Sequence, residues 1–400
     1  MRKKILYIWD ADYPWDIRVE KICRTLIKNG NKVHLICRNI KRRPRVEIID
    51  SINVHRLKIF GNYKLNKFVS FPAFFNPLWI VEIIGVIKKH KIDLMIVRDL
   101  PLALTAVFIG KFLSLPVVFD NAENYPAMLK RSWYRLNRFH LLNIFIRNSY
   151  VAQLIELFTV NLSDHIIVVT EEAEERLRKL GVKENKIAVV SNTPDLSIMA
   201  DEDGIDNECF KKYFLIAYLG GLEEKRGIDN ALEALKDIKR EIPNVLLVII
   251  GKGYGEKKLK SLVKCYHLEN SVIFKGWLNY ERALGYVNQS DVCIIPHPVN
   301  QHTNATIPNK LFDYMRFGKP VVASEALPIK RIIDAENCGL TYCDKEGLVE
   351  SIIKLRDINL RNTLGENGKK AVLSRYNWSY DSRRLIEVVD GLHRDNKNFD

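Results

Sequence analysis

The stretch YLGGLEEKRGIDNALEAL, residues 218–235, decides how the chain is read. It follows FLIA, so an unbroken apolar run ends at Gly220-Gly221, as a strand buried on both faces of a parallel sheet would. A helix begins at about Gly227, and the turn brings Lys225 and Arg226 to its start. Free backbone N–H groups and the positive end of the helix dipole attract anions there. Strand, glycine turn and cation-bearing helix start make a phosphate site, although the turn alone reads equally well as a solvated basic loop.

The same rhythm extends in both directions. In the second half FLIAYLGG, NVLLVIIGKG, SVIFKGW, VCIIPH, KPVVAS and GLTYC are strands, each followed by a helical stretch. In the first half the strands are KKILYIW, KVHLIC, VHRLKI, IDLMIV, PVVFD, HIIVV and KIAVV. Between the first two, Val19, Ile22, Cys23, Leu26 and Ile27 recur at helical spacing, with Asp16 as cap and Gly30 as stop. With 400 residues the chain exceeds what one hydrophobic core holds, roughly 250–300 residues. The expected organisation is α/β: two doubly wound, Rossmann-like parallel-sheet domains facing across a cleft, residues 1–198 and 213–377. The acidic segment 199–212 reads as linker, and a last helix over about 378–394 is expected to pack back on the first domain.

Composition narrows the function. At 47% hydrophobic and 28% charged residues the chain is an ordinary globular protein. The formal charge of +14 favours anionic partners, namely nucleotide phosphates or acidic lipid head groups. The basic residues are dispersed and no recognition motif appears, so nucleic acid is not expected. Seven cysteines show no C-x-x-C pair, and several lie in apolar runs, which fits a reduced, cytoplasmic setting. No signal peptide is visible. The apolar run 68–87 is broken by Pro72, Pro77 and Glu82, leaving roughly 13 helical residues, too few to span a bilayer. The aromatic and basic stretches FVSFPAFFNPLW and RSWYRLNRFHLLNIFIRNSY instead suggest a peripheral face for anionic membrane, on the inner side of the plasma membrane.

A second stretch, PHPVNQHTNATIPNKLFDYMRFGKPVVAS over 296–324, carries complementary chemistry. A polar loop leads to Pro308 and a helix that runs to Gly318. Asn309 and Lys310 lie in its first turn and Asp313 about a turn further on. Lys310 can meet a phosphate while Asp313 accepts hydrogen bonds from ribose hydroxyls. With the 218–235 turn, this arrangement resembles the retaining glycosyltransferases of glycosyltransferase family 4, which have the GT-B fold, and the resemblance runs over nearly the whole chain. It implies a nucleotide-diphosphate sugar, UDP- or GDP-linked, as co-substrate, with no further cofactor and no protein-bound metal. The acceptor would be a saccharide or a lipid-linked one, in surface-polysaccharide synthesis.

Residue by residue, the family's G-R-L-x-x-x-K-G turn becomes G-G-L-E-E-K-R-G, with Arg226 at the lysine position and Gly221 at the arginine position. One cation is missing. Asp313 stands at the second of two family glutamates and Ala305 at the first, so the sugar is expected on backbone groups of the 303–307 loop, Thr306 and Ile307 included. Gly220, Gly251, Gly253, Trp277, Pro308 and Asn309 complete the expected donor set. Catalytic candidates are Arg226, Lys310, Glu123 and His297. Glu123 reads equally as a loop carboxylate, His297 and His302 as structural hydrogen-bonders, and Trp277 as core packing. FDNAENYP resembles the family's D-x-H-E segment, keeping Asp120 and Glu123 but placing Ala122 where histidine often stands.

The opening WDADYPWDIRVEK offers a D-x-D pair, Asp10 and Asp12. It lies on the first domain whereas the phosphates belong on the second, so metal binding is not expected. Asp201 and Asp203 form another such pair in the linker. The acceptor side is expected to use Asp12, Asp16, Arg18 and Asp120, with Arg18 lying off the apolar stripe and reaching the cleft. Two rival functions share these features: a UDP-sugar epimerase of the same fold, and a catalytically silent nucleotide-sugar-binding protein, favoured by Gly221, Ala305 and Ala122.

Overall fold

The computed structural model describes residues 2–14, 16–72, 74–132, 148–202 and 210–392. The chain divides into two units, Met1–Ser191 with Asp381–Asp400, and Asn192–Tyr380. The division falls at 191/192, ahead of the 199–212 segment read as linker. Most of that segment, Asp203 included, lies outside the described residues, as does most of the aromatic stretch 131–150.

The first unit is built on an eight-stranded sheet: β1 (Lys4–Asp12), β2 (Lys32–Arg38), β3 (Val46–Ile49), β4 (Ile52–Arg56), β5 (Leu94–Arg98), β6 (Val117–Asn121), β7 (His165–Val168) and β8 (Ile187–Val189). Their order is β3-β4-β2-β1-β5-β6-β7-β8, parallel except for the β3–β4 hairpin at the edge. The strands are buried because Leu6, Ile8, Met95, Val97 and Phe119 pack with Trp79, Ile83 and Val107 from the covering helices. The helix Ile17–Lys28 starts as read: Asp16 accepts from the N–H groups of Arg18 and Val19. From Asp381 onward the last helix, Trp378–Gly391, belongs to this unit, and the Lys3 ammonium donates to the carbonyls of Val389 and Leu392.

The second unit holds a fully parallel six-stranded sheet: β9 (Phe214–Leu219), β10 (Val245–Ile250), β11 (Val272–Gly276), β12 (Val292–Ile295), β13 (Val321–Ser324) and β14 (Gly339–Tyr342), in the order β11-β10-β9-β12-β13-β14. Side chains of β9 alternate between two cores. Ile216 and Tyr218 pack with Ile228, Leu232 and Leu235, whereas Ala217 packs with Leu311, Phe312 and Met315. The carboxyl ends of β9 and β12 lie next to each other, and a parallel sheet places its ligand at such ends.

The apolar run 68–87 is not one helix. It divides between Tyr63–Val69 and Pro77–His90, and Trp79 of the latter is fully buried. Among the described residues no helix is long and apolar enough to cross a membrane.

Candidate active site

In the second unit, β9 ends at Leu219 and the chain turns through Gly220, at φ 144°, and Gly221 into a short 3₁₀ turn, Glu224–Arg226. Gly227, at φ 70°, then starts the helix Ile228–Glu241. The turn is held from beneath: Gly220 N–H donates to Ile250 O at 2.9 Å and Leu222 N–H to Lys252 O at 3.2 Å. A Cβ at Gly251 would come within 1.9 Å of Gly220 O, and one at Gly253 within about 2.6 Å of the Leu222 backbone. These two glycines, expected beside the donor, are required where one loop packs on the other.

Lys310 is the first residue of the helix Lys310–Arg316, with Asn309 as its N-cap after Pro308. It points into the turn rather than to solvent. Only 8% of it is exposed, its Nζ lies 4.0 Å from the centre of the Tyr218 ring, and among the described residues no hydrogen-bond acceptor reaches that nitrogen. A Cβ on residue 220 would stand 2.6 Å from it, so glycine is needed there on two counts. Burial, reinforced by the charge of Arg226 and opposed by Glu223 and Asp313, pushes the ammonium well below the usual lysine range. A buried cation with no acceptor is costly unless a ligand supplies one.

Arg226 stands beside it, about one-third exposed, with Nε 3.0 Å from Glu223 Oε2. A Cβ on Gly221 would meet both Glu223 carboxylate oxygens, at 2.6 and 2.8 Å. The place left by the missing arginine therefore holds an acid. Tyr218 OH, donating to Gly221 O at 2.9 Å, fixes the turn from below. Asp313 is buried and accepts a 2.5 Å hydrogen bond from Tyr280 OH. Tyr218 and Tyr280 were not found from the sequence: each acts on residues that strand and helix spacing alone does not bring to it.

The rest of the expected donor set is placed as follows. Ala305 is buried in the 3₁₀ turn Thr303–Ala305, and Thr306 Oγ1 donates to His302 O. Ile307 buries its side chain in the core, which leaves its backbone for any ligand. His297 is buried, and its carbonyl accepts from Ser324 Oγ. Trp277 is 69% exposed, which removes the core-packing reading.

In the first unit the structure departs from the expected exposure of Arg18. Arg18 does not lie off the apolar stripe: it is 3% exposed, and its guanidinium grips Asp120, itself fully buried, with Nη2–Oδ1 at 2.6 Å and Nε 3.1 Å from both oxygens. Tyr7 OH and Val190 O complete that network. The helix buries Arg18 because a partner on β6 compensates its charge. Asp12 accepts from the N–H groups of Ile40 and Lys41 at 2.8 and 2.7 Å, and Asp16 caps its helix and pairs with Arg98. Each of the four residues thus has polar partners within this unit.

A different set stands at the carboxyl ends of β1 and β5. Among the described residues Trp9 Nε1, Arg98 Nε and Asp99 Oδ1 are buried with no hydrogen-bond partner, although Arg98 Nε lies 3.5 Å from Asp99 Oδ2 as an ion pair, and the Arg98 guanidinium is 4.4 Å from the centre of the Trp9 ring. Asp99 has φ 59°, a strained value for a residue with a side chain. Burial raises its carboxyl well above the usual range, and burial also pushes Asp10 up to about 6 against the pull of Arg98 and Arg38. Glu123 is near enough to act on Asp99. Polar groups short of partners beside an aromatic ring suit a polyhydroxylated ligand.

Residues 17–198 match the family described as Glycosyltransferase Family 4, and residues 201–371 the family described as Glycosyl transferases group 1. The chain belongs to the GT-B glycosyltransferase families. A sucrose-phosphate synthase from Thermosynechococcus elongatus superposes with a TM-score of 0.78 at 18% identity, covering 98% of this chain and 99% of that one. The Anabaena protein HepE, solved in complex with UDP-glucose, gives 0.71 at 15% identity, over 98% and 100%. At such identities these likenesses establish the fold. An uncharacterized glycosyltransferase of Methanocaldococcus jannaschii is 24% identical over 236 residues, 58% of this chain and 59% of its own. Matches to the first curated relatives span between 59% and 66% of their lengths.

Glu223 sets a test of the donor turn of this glycosyltransferase. Its carboxylate pairs with Arg226, so an anion that binds at this turn has to displace it. Glu223→Gln is expected to tighten UDP or GDP binding by about three- to tenfold, a modest gain because Arg226 is part-exposed. Calorimetry at fixed salt reads the change, and weaker binding would mean that Glu223 supports the site instead.

Proposed function

We propose that this glycosyltransferase transfers a sugar from a UDP- or GDP-sugar, with retention of configuration, to a saccharide or lipid-linked acceptor in surface-polysaccharide synthesis. The observation that carries the reading is Lys310 Nζ, buried, without an acceptor among the described residues, beside Arg226 and the Gly220-Gly221 turn. A donor diphosphate supplies the missing acceptor. In the reaction the diphosphate leaves with growing negative charge, and Lys310 and Arg226 stabilise it from fixed positions in a water-poor site. Asp313, oriented by Tyr280, receives the ribose hydroxyls. Trp277 and the backbone of Thr306, Ile307 and Asn309 flank the base and the sugar. His297 and Glu123 are carried as catalytic candidates. On the first unit the acceptor hydroxyls would meet Asp10, Arg98 and Asp99 rather than Arg18. HepE holding UDP-glucose supports the donor class, and a relative described as a lipopolysaccharide core biosynthesis glycosyltransferase of Rhizobium meliloti supports the acceptor class.

Thermal denaturation with a panel of nucleotide sugars tests this, since a bound ligand stabilises according to its affinity and excess. Product analysis separates transfer from epimerisation, and hydrolysis or transfer above background excludes a silent binder. No stabilisation by any nucleotide or nucleotide sugar would overturn the donor assignment.

The membrane-facing part of the reading rests on exposed apolar side chains of the first unit. Phe68 of the helix Tyr63–Val69, Phe112 of the helix Leu100–Leu113, and Tyr150 and Phe158 of the helix Ser149–Leu162 are 59–77% exposed. Phe75 and Phe108 meet ring to ring at 6.0 Å. With Lys67 beside Phe68 on its helix, such side chains are attracted to anionic lipid, whereas Lys111 is already paired with Asp164 at 2.7 Å. Cosedimentation with phosphatidylglycerol-containing liposomes at low salt is expected, and loss of it in Phe68→Ser/Phe112→Ser; binding unchanged in that variant would remove the claim.

A further inference from the structure

We propose that His34, His55 and His90 form a binding site for a divalent transition-metal ion, with Zn²⁺ the ion whose preferences they match. The sheet register places the first two. In the β2–β4 pairing His34 lies beside Asn53 and Ile36 beside His55, so His34 and His55 project from the same face, one diagonal step apart. His90 is the last residue of the helix Pro77–His90, which brings its ring over the other two. Ring centres are 4.3 Å apart for His34 and His90, 5.0 Å for His55 and His90, and 5.3 Å for His34 and His55.

One ring nitrogen from each residue lies within 4.8 Å of the other two. Nδ1 of His34 and Nε2 of His55 are 3.0 Å apart and share a hydrogen bond, whose proton an incoming ion displaces. Tetrahedral Zn²⁺ with bonds of about 2.0–2.1 Å separates its ligand nitrogens by roughly 3.3 Å. His34 and His55 thus have the spacing, each ring turning to aim its lone pair at the ion once their shared proton leaves, and His90, at a helix end, closes a gap of at most about 1.5 Å. Neutral imidazole is the coordinating form. The charges acting on these rings come from lysines and from the other histidines, with no carboxylate among them to favour imidazolium.

The negative end of the helix dipole at His90 favours a cation, while Lys4, Lys32 and Lys89 oppose one. The expected affinity is therefore micromolar, selective for ions that prefer nitrogen, and negligible for Mg²⁺ and Ca²⁺. Three protein ligands leave a fourth position for water. The ion would tie the last turn of Pro77–His90 to the β2–β4 edge of the sheet, and none of its ligands belongs to the donor turn.

The test titrates chelator-treated protein with ZnCl₂ by calorimetry and by thermal denaturation. The expected result is one saturable equivalent and a rise of several degrees in Tm, with Mg²⁺ inert. His90→Ala, at a part-exposed helix end, and His55→Ala should each weaken binding at least about tenfold. Co²⁺ should give the visible absorption of a four-coordinate, nitrogen-ligated ion in the wild type and lose it in His90→Ala. Absence of saturable Zn²⁺ binding would overturn the proposal. Binding of undiminished affinity in both variants would also overturn it, by placing the ion elsewhere.

Discussion

Lys310→Ala is expected to lower turnover by more than tenfold, and Arg226→Ala likewise, with Lys310 the larger of the two. Preorganised charges aimed at a leaving group in a water-poor site each contribute on the order of 10²–10³ in rate, or about 3–4 kcal/mol. Lys310 has that preorganisation, because Tyr218 and the Gly220 turn fix its ammonium before any ligand arrives. Arg226, one-third exposed and first needing release from Glu223, has less of it. Steady-state kinetics with the donor varied is the measurement, and a fall in kcat separates charge stabilisation in the transition state from uniform binding. Stability provides a control. Since the buried ammonium has no hydrogen-bond acceptor among the described residues, its removal should leave the melting temperature unchanged or raise it. Activity close to wild type in both variants would sink the assignment.

Arg18→Ala is expected to destabilise the first unit by about 3–5 kcal/mol. Removing one partner of a buried ion pair leaves the other charge uncompensated, and that residue is costly to keep dry. Asp120 is fully buried and receives Tyr7 OH in addition to the guanidinium. Chemical denaturation reads the effect as a lower midpoint at unchanged slope. The double variant Arg18→Leu/Asp120→Leu should recover part of the loss, because no lone charge remains. A loss below about 1 kcal/mol in the single variant would place the pair with exposed ones.

Thirteen of the fourteen strands described here were legible as short apolar runs, because parallel strands covered on both faces need them. The strand that escaped is β3, Val46–Ile49. It pairs antiparallel at the sheet edge, Val46 and Ile48 are 60% and 70% exposed, and a half-solvated edge strand carries no continuous apolar run. The glycine turn after β9 was legible because its signals are local: glycines, cations and a helix start lie within a few residues of one another. Arg18 was misread for the opposite reason. A charge on a helix face reads as solvent-facing unless its partner is known, and Asp120 is 102 residues away. Arg98, Asp99 and Trp9 escaped similarly, since what marks them is a shortage of hydrogen-bond partners, which only the packed structure displays.

The contact between Gly221 and Glu223 ties two positions into one unit of change. Any side chain at residue 221 would occupy the space of the Glu223 carboxylate and push it off Arg226. A single exchange of Gly221 for the arginine common in the family would therefore bring in a cation and evict an anion together, swinging the local charge by more than one unit. Engineering of this turn should thus vary residues 221 and 223 as a pair.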